Sequence, residues 1–118
     1  MKSRFLSENI NAEVEANALR VFWLSMNRAK HHCPFWAKRI TLRKKFLKIY
    51  KKAAIKNRFC NAYGRNERYH VDHIIPLHGE NVSGLHVPWN LHVIYATINM
   101  AKRTMLVPEY LEKIPRPL

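Results

Sequence analysis

Four residues in the second half of the chain have types and spacing suited to one reaction. Asp72 and His73 lie together in HVDHIIPL (His70 to Leu77), Asn90 follows in PWNL, and Asn99 follows in INMAK. Phosphodiester hydrolysis needs an activated water, neutralisation of charge on the phosphorane, and help for a departing alkoxide. A hard divalent cation does the last two and prefers oxygen ligands. Asp72 offers a carboxylate oxygen and Asn99 an amide oxygen, which leaves room for phosphate oxygens and waters. His73 suits the general base, because an imidazole titrates near neutral pH. It must be held neutral and aimed by a hydrogen bond on its other ring nitrogen. Asn90, beside the loop, can brace that loop. An Asp-His pair in a strand is by itself more often structural. The weight comes from its combination with Asn90 and with Asn99, a poor helix former in a helix interior.

The remaining histidines are read more blandly. His70 is two residues from Asp72 and shares its strand face, but a surface or capping role fits it better. His78, His86 and His92 have no clear partner, although His86 and His92 flank Asn90 and could support the site from behind. His31, His32 and Cys33 are adjacent, which is poor ligand geometry, so they read as a helix end. Trp23, Trp36 and Trp89 read as core. Cys33 and Cys60 form no CxxC pair and no disulfide framework, so a reducing cytoplasm is the default.

The elements that must position these residues follow from periodicity. Ser7 to His31 reads as a helix, with Ala12, Ala16, Leu19, Trp23 and Met26 at helical spacing and Glu13 and Glu15 placed early, where the helix dipole favours acids. A second helix is expected from Pro34 to Arg58. Its stripe is Phe35, Leu42, Phe46, Ile49 and Ala53, with Leu47, Tyr50 and Ala54 beside it. Lys44, Lys48, Lys51 and Lys52 lie on its other faces. Gly64 centres a turn. A strand over Arg68 to Ile75 is ended by Pro76, and HGENVSG is a loop. A second strand covers Leu91 to Tyr95. A short helix covers Thr97 to Thr104, with Thr97 as N-cap, and one more helical turn can follow Pro108.

Charge narrows the partners. The chain has 118 residues, 21 basic and 8 acidic, for a formal +13. Residues 1–60 carry 15 basic and 3 acidic residues, net +12, and residues 61–118 carry 6 and 5, net +1. From Arg28 to Arg58 there are 12 basic residues and no acid. Such a block needs a polyanion or a well-solvated face, and of polyanions nucleic acid fits better than a membrane surface. No apolar run is long enough to span a bilayer, and the first residues show no secretory pattern.

With these residues in view, the sequence resembles the HNH endonucleases, the ββα-metal nucleases. The resemblance rests on VDHIIPL, WNL and INMAK, and covers Tyr63 to Arg103. The GLHVPWNL segment (Gly84 to Leu91) is most similar to phage-encoded members. The resemblance implies an α+β single domain, 1–118. A basic helical part, 1–59, would pack as two helices on an HNH motif at 60–105, followed by a short helix and tail at 106–118. It implies a DNA endonuclease, phage-encoded or homing-like, using Mg²⁺ or Mn²⁺ and leaving 5′-phosphate and 3′-hydroxyl ends. By position, Asp72 and Asn99 would be metal ligands, His73 the general base and Asn90 the structural asparagine. Lys102 and Arg103 would lie near the scissile phosphate. Many relatives carry two CxxC pairs for zinc. Here those positions are Cys60, Tyr63, Tyr95 and Ile98, so no structural zinc is expected. Neighbours on a regular strand face opposite ways, so Asp72 and His73 can share a phosphate only where the strand ends, bulges or twists. Two other readings remain: a non-catalytic nucleic-acid-binding protein on the same scaffold, and a nuclease subunit docked to a partner through its N-terminal helices.

Overall fold

A computed structural model describes residues 2–79, 81–102 and 105. The order is α1 (Lys2–Arg28), a 3-10 turn (Phe35–Lys38), α2 (Ile40–Ala62), β1 (Tyr69–His73), a second 3-10 turn (Pro88–Asn90), β2 (Leu91–Tyr95) and α3 (Ala96–Lys102). It is a mixed α+β architecture. β1 and β2 form a two-stranded antiparallel sheet in which Tyr69 faces Tyr95, Asp72 faces His92 and His73 faces Leu91. No helix among the described residues is long and apolar enough to cross a membrane.

α1 and α2 pack in opposite directions. Glu13 pairs with Arg58 at 3.3 Å and Glu15 with Lys51 at 3.2 Å, while Phe22 meets Phe46 and Tyr50 further along. The main core holds Ala18, Phe22, Phe46, Tyr50 and Leu91, with Val21, Met26, Leu47, Ile49 and Val71 packed against it. Fully burying Phe22 and Phe46 contributes about 1.5–3 kcal/mol each. A smaller cluster of Cys33, Ala37 and Val87 joins the turn after α1 to the second 3-10 turn.

The buried stripe of α1 is Val14, Ala18 and Phe22. The expected stripe is rotated away: Ala12 and Ala16 are exposed, as are Leu19 and Trp23, and only Met26 of that set meets the core. α1 carries two apolar stripes of helical period. The one that packs brings small Ala18 and flat Phe22 against the aromatic residues of α2. The helix also begins before Ser7, at Lys2, and ends at Arg28. Glu13 and Glu15 therefore lie beyond its first turn, and their partners are cations of α2, not the helix dipole.

The second expected helix is broken. Arg39 adopts an extended conformation (φ −64°, ψ 149°) between the 3-10 turn and α2. Phe35 is consequently 86% exposed and off the stripe, whereas Phe46, Tyr50, Ala53 and Ala54 are buried as expected. Trp23, Trp36 and Trp89 are exposed and are not core. α2 ends in a Schellman cap: Gly64 takes φ +65°, Gly64 N–H donates to Asn61 and Arg65 N–H to Cys60. A left-handed residue there favours glycine. β1 is shorter than expected, stopping at His73, and β2 matches its expected span. α3 starts at Ala96, so Thr97 lies inside the helix and does not cap it. The helical turn expected after Pro108, and Arg103 and Thr104, lie outside the described residues.

Candidate active site

Two asparagine amides hold β1 at its ends. Asn57 on α2 accepts a hydrogen bond from Tyr69 N–H at 2.7 Å and donates to Tyr69 C=O at 3.0 Å. Asn90 accepts from Ile75 N–H at 2.8 Å and donates to Ile75 C=O at 3.0 Å and Leu85 C=O at 2.9 Å. A side-chain amide matches a backbone amide in donor and acceptor, so each asparagine substitutes for a missing strand neighbour. The buried Asn90 thus ties the chain leaving β1 to the loop that returns to β2. Gly84 is required in that loop. Its N–H donates to Pro76 C=O at 2.8 Å, and a Cβ there would collide with the Ile75 carbonyl and crowd the Asn90 amide.

The strand stays paired through His73, so Asp72 and His73 engage different neighbours. Asp72 Oδ2 receives Lys102 Nζ at 2.8 Å and lies 3.1 Å from His92 Nε2, the residue across the strand pair. Lys102 is fully buried, and its ammonium also donates to Met105 C=O at 3.1 Å. α3 thereby delivers a cation to the carboxylate, a contact that the sequence position of Lys102 does not predict.

His73 turns to the other side. Its Nε2 lies 2.9 Å from His86 Nδ1, and His86 stacks on Phe46 of α2 with centroids 5.0 Å apart. His86 is fully buried, its N–H donates to His32 C=O, and its Nε2 has no hydrogen-bond partner among the described residues. Burial pushes the His86 imidazole down to about 4, helped by the nearby His73. Burial also lowers His73, against the opposing pull of Asp72, with His32, Lys102 and His92 adding to the lowering. Both rings are therefore neutral near pH 7. One nitrogen of the His73–His86 contact must donate. When His73 donates from Nε2, its Nδ1 carries the lone pair and can take a proton, with His86 as a neutral acceptor that holds the ring. His86 thus fixes the orientation of the His73 ring.

Asn99 of α3 meets β1 at a different residue, His70. Its Nδ2 is 3.1 Å from His70 Nδ1, a contact that uses the amide nitrogen and not the carbonyl oxygen. His70 and Asn99 open onto a cleft of about 440 Å³, whose far wall includes Asn17, Ser25 and Arg28. The structure thus joins Asp72 to Lys102, and His73 to the loop braced by Asn90. It shows no bond between Asp72 and Asn99.

A divalent cation fits the donor chemistry. Asp72 supplies a carboxylate, and the buried ammonium of Lys102 already stands in for a cation upon it. Asn99 supplies an amide oxygen nearby in sequence on the same helix. Among the described residues no three His, Cys, Asp or Glu side chains gather as a metal cage, so waters and phosphate would complete such a shell. Cys33 and Cys60 are both buried free thiols. At the positions that carry zinc ligands in many HNH proteins, Tyr95 stacks on Tyr69 at 4.9 Å and Tyr63 packs on Phe59 at 4.5 Å.

Of the basic helix face, Lys44, Lys48 and Lys52 are exposed, and Lys51 is half-buried beside Glu15. Three residues escaped sequence reasoning in whole or part. His92 was legible only through strand register, which sets it opposite Asp72. His86 sits in a loop, where spacing predicts no partner. Asn57 looks like any polar residue of a basic helix. No protein-family model matches this chain, and no curated protein or solved structure matches it either.

Proposed function

We propose that this chain is an HNH-type endonuclease that hydrolyses DNA phosphodiester bonds with Mg²⁺ or Mn²⁺, leaving 5′-phosphate and 3′-hydroxyl ends, and that it works in the cytoplasm, that of the host if it is phage-encoded. The observation that carries the reading is the ββα unit itself. A two-stranded hairpin leads directly into α3, with Asp72 and His73 at the end of β1 and Asn90 clamping the connection. In this reading Asp72 and Asn99 would hold the cation, which would supply positive charge for the phosphoryl oxygens and the departing alkoxide. His73, kept neutral by burial and aimed by His86, accepts the proton of the attacking water. Lys102 balances Asp72 and contributes positive charge near the phosphate. The lysines of α2 hold the DNA backbone, which gives affinity without sequence information.

A second reading is favoured by one observation. Lys102 and His92 already saturate Asp72 Oδ2, which suits a non-catalytic nucleic-acid-binding protein on the same scaffold. Supercoiled plasmid separates the two. Mg²⁺ should support nicking or linearisation, and EDTA should stop it. Binding without cleavage under Mg²⁺, Mn²⁺ and other divalent ions selects the second reading.

A further inference from the structure

Trp36 and Trp89 stack face to face, with centroids 5.6 Å apart and planes within 5°. They come from the two 3-10 turns, and they remain 41% and 60% exposed. Large aromatic surface left in water forgoes burial worth about 25 cal/mol per Å², so a paired, open platform asks for an occupant. Trp36 is two residues before Lys38 in the same turn. Lys38 lines a cleft of about 310 Å³ together with Lys30, Arg43 and Trp23, and among the described residues no acidic side chain lines it. Trp23 is itself 49% exposed, with the Arg43 guanidinium 5.0 Å above its ring. On the other side, Trp89 immediately precedes Asn90, the clamp of the candidate active site. The stacked indoles thus come from chain segments that also carry Lys38 of the cationic cleft and Asn90 of the candidate active-site loop.

We propose that the Trp36–Trp89 platform and the adjoining Lys30, Lys38 and Arg43 cleft bind an unpaired stretch of DNA beside the cleavage site. Aromatic rings can stack only on bases whose faces are free, and a continuous duplex hides those faces. Cations without carboxylates among them follow a phosphate backbone. Platforms of this kind bind single strands with little regard to sequence. The substrate is then branched or locally single-stranded DNA. The inference rests on the reading of this chain as a DNA-binding protein, and not on cleavage.

The test is made in EDTA at physiological salt, with a labelled oligo-dT of about 20 nucleotides, long enough for one such site, a hairpin duplex of equal length, and oligo-rU. Oligo-dT should quench the tryptophan fluorescence of the wild-type protein and bind more tightly than the hairpin or oligo-rU. Joint Trp36→Ala and Trp89→Ala should weaken oligo-dT binding about tenfold or more and leave the hairpin nearly unchanged, while joint replacement by Phe should retain binding. Joint Lys30→Gln and Lys38→Gln, which leaves the rings in place, should also weaken oligo-dT binding. No quenching, a wild-type preference for the hairpin or for oligo-rU, or equal losses on single strand and duplex would overturn the proposal. Quenching without plasmid cleavage removes the nuclease reading and leaves this one. Cleavage without quenching does the reverse.

Discussion

His86 is a fully buried imidazole with one ring nitrogen on His73 and the other without a hydrogen-bond partner among the described residues, and its titration is a stability statement. Folding lowers it from an ordinary value of 6.5 to about 4, so the unfolded chain binds its proton first as pH falls. Its stabilising effect is complete above about 6.5, declines as pH drops, and is exhausted near 4. The loss is on the order of 3 kcal/mol across that window, and the lowering of His73 acts in the same direction. Urea unfolding from pH 8 to pH 4 should show this slope, and His86→Gln should flatten it; an unchanged slope would place the acid sensitivity elsewhere. Lys102 allows a second test of charge at one residue. Lys102→Met leaves the Asp72 carboxylate, 12% exposed at its side chain, without its ammonium. Breaking a buried pair from one side costs about 3–5 kcal/mol. If Asp72 is a cation ligand, Mg²⁺ should restore more thermal stability to the variant than it adds to the wild type. Equal Mg²⁺ effects on both melting curves would remove Asp72 from the metal site. For the reaction itself, His73→Ala should lower cleavage at least about 100-fold while DNA binding survives. Full activity in that variant would mean that another group is the base.

At the scale of elements, the hairpin depends on side chains that act as backbone. Asn90 closes three hydrogen bonds to Ile75 and Leu85, and its removal strands three partly buried backbone groups. Asn90→Ala should cost about 3 kcal/mol, given roughly 1 kcal/mol per bond and more for groups left unsatisfied. Gly84→Ala should destabilise the protein as well, because the new Cβ meets the Ile75 carbonyl. Chemical denaturation of both variants measures this, and near wild-type stability in either would mean that the loop does not need the clamp. The same comparison explains what the sequence could reveal. β2 was legible because its alternation and its flanks are local, and Phe46, Tyr50 and Ala53 were legible because α2 has a single apolar stripe. α1 has two such stripes, and only its partner decides between them. The break at Arg39 carries no proline or glycine to announce it. Asp72, His73 and Asn90 could be read from residue order. The contacts of His73 with His86 and of Asp72 with His92 depend on register and on a loop fold, which no spacing rule encodes.

For the whole molecule, the division of charge sets the terms. A net +12 on residues 1–60 lies on helices where Glu13 pairs with Arg58 and Glu15 with Lys51. Exposed pairs of this kind contribute at most about 1 kcal/mol each, so they do not offset the repulsion among the remaining lysines. A bound polyanion does. Each lysine that neutralises a phosphate releases condensed counterions, and the logarithm of affinity then falls with the logarithm of salt by about 0.9 per contact on duplex DNA. Replacing Lys44, Lys48, Lys51 and Lys52 by Gln should therefore reduce that slope by up to about 3.6 and weaken binding without changing sequence preference. Lys51 shares its ammonium with Glu15, which implies a smaller share for it than for the three exposed lysines. A duplex titration across salt concentrations in EDTA measures the slope directly. A slope equal to wild type would exclude this face of α2 and leave Arg28, which lines the cleft with His70 and Asn99, as the first place to look for the backbone contact.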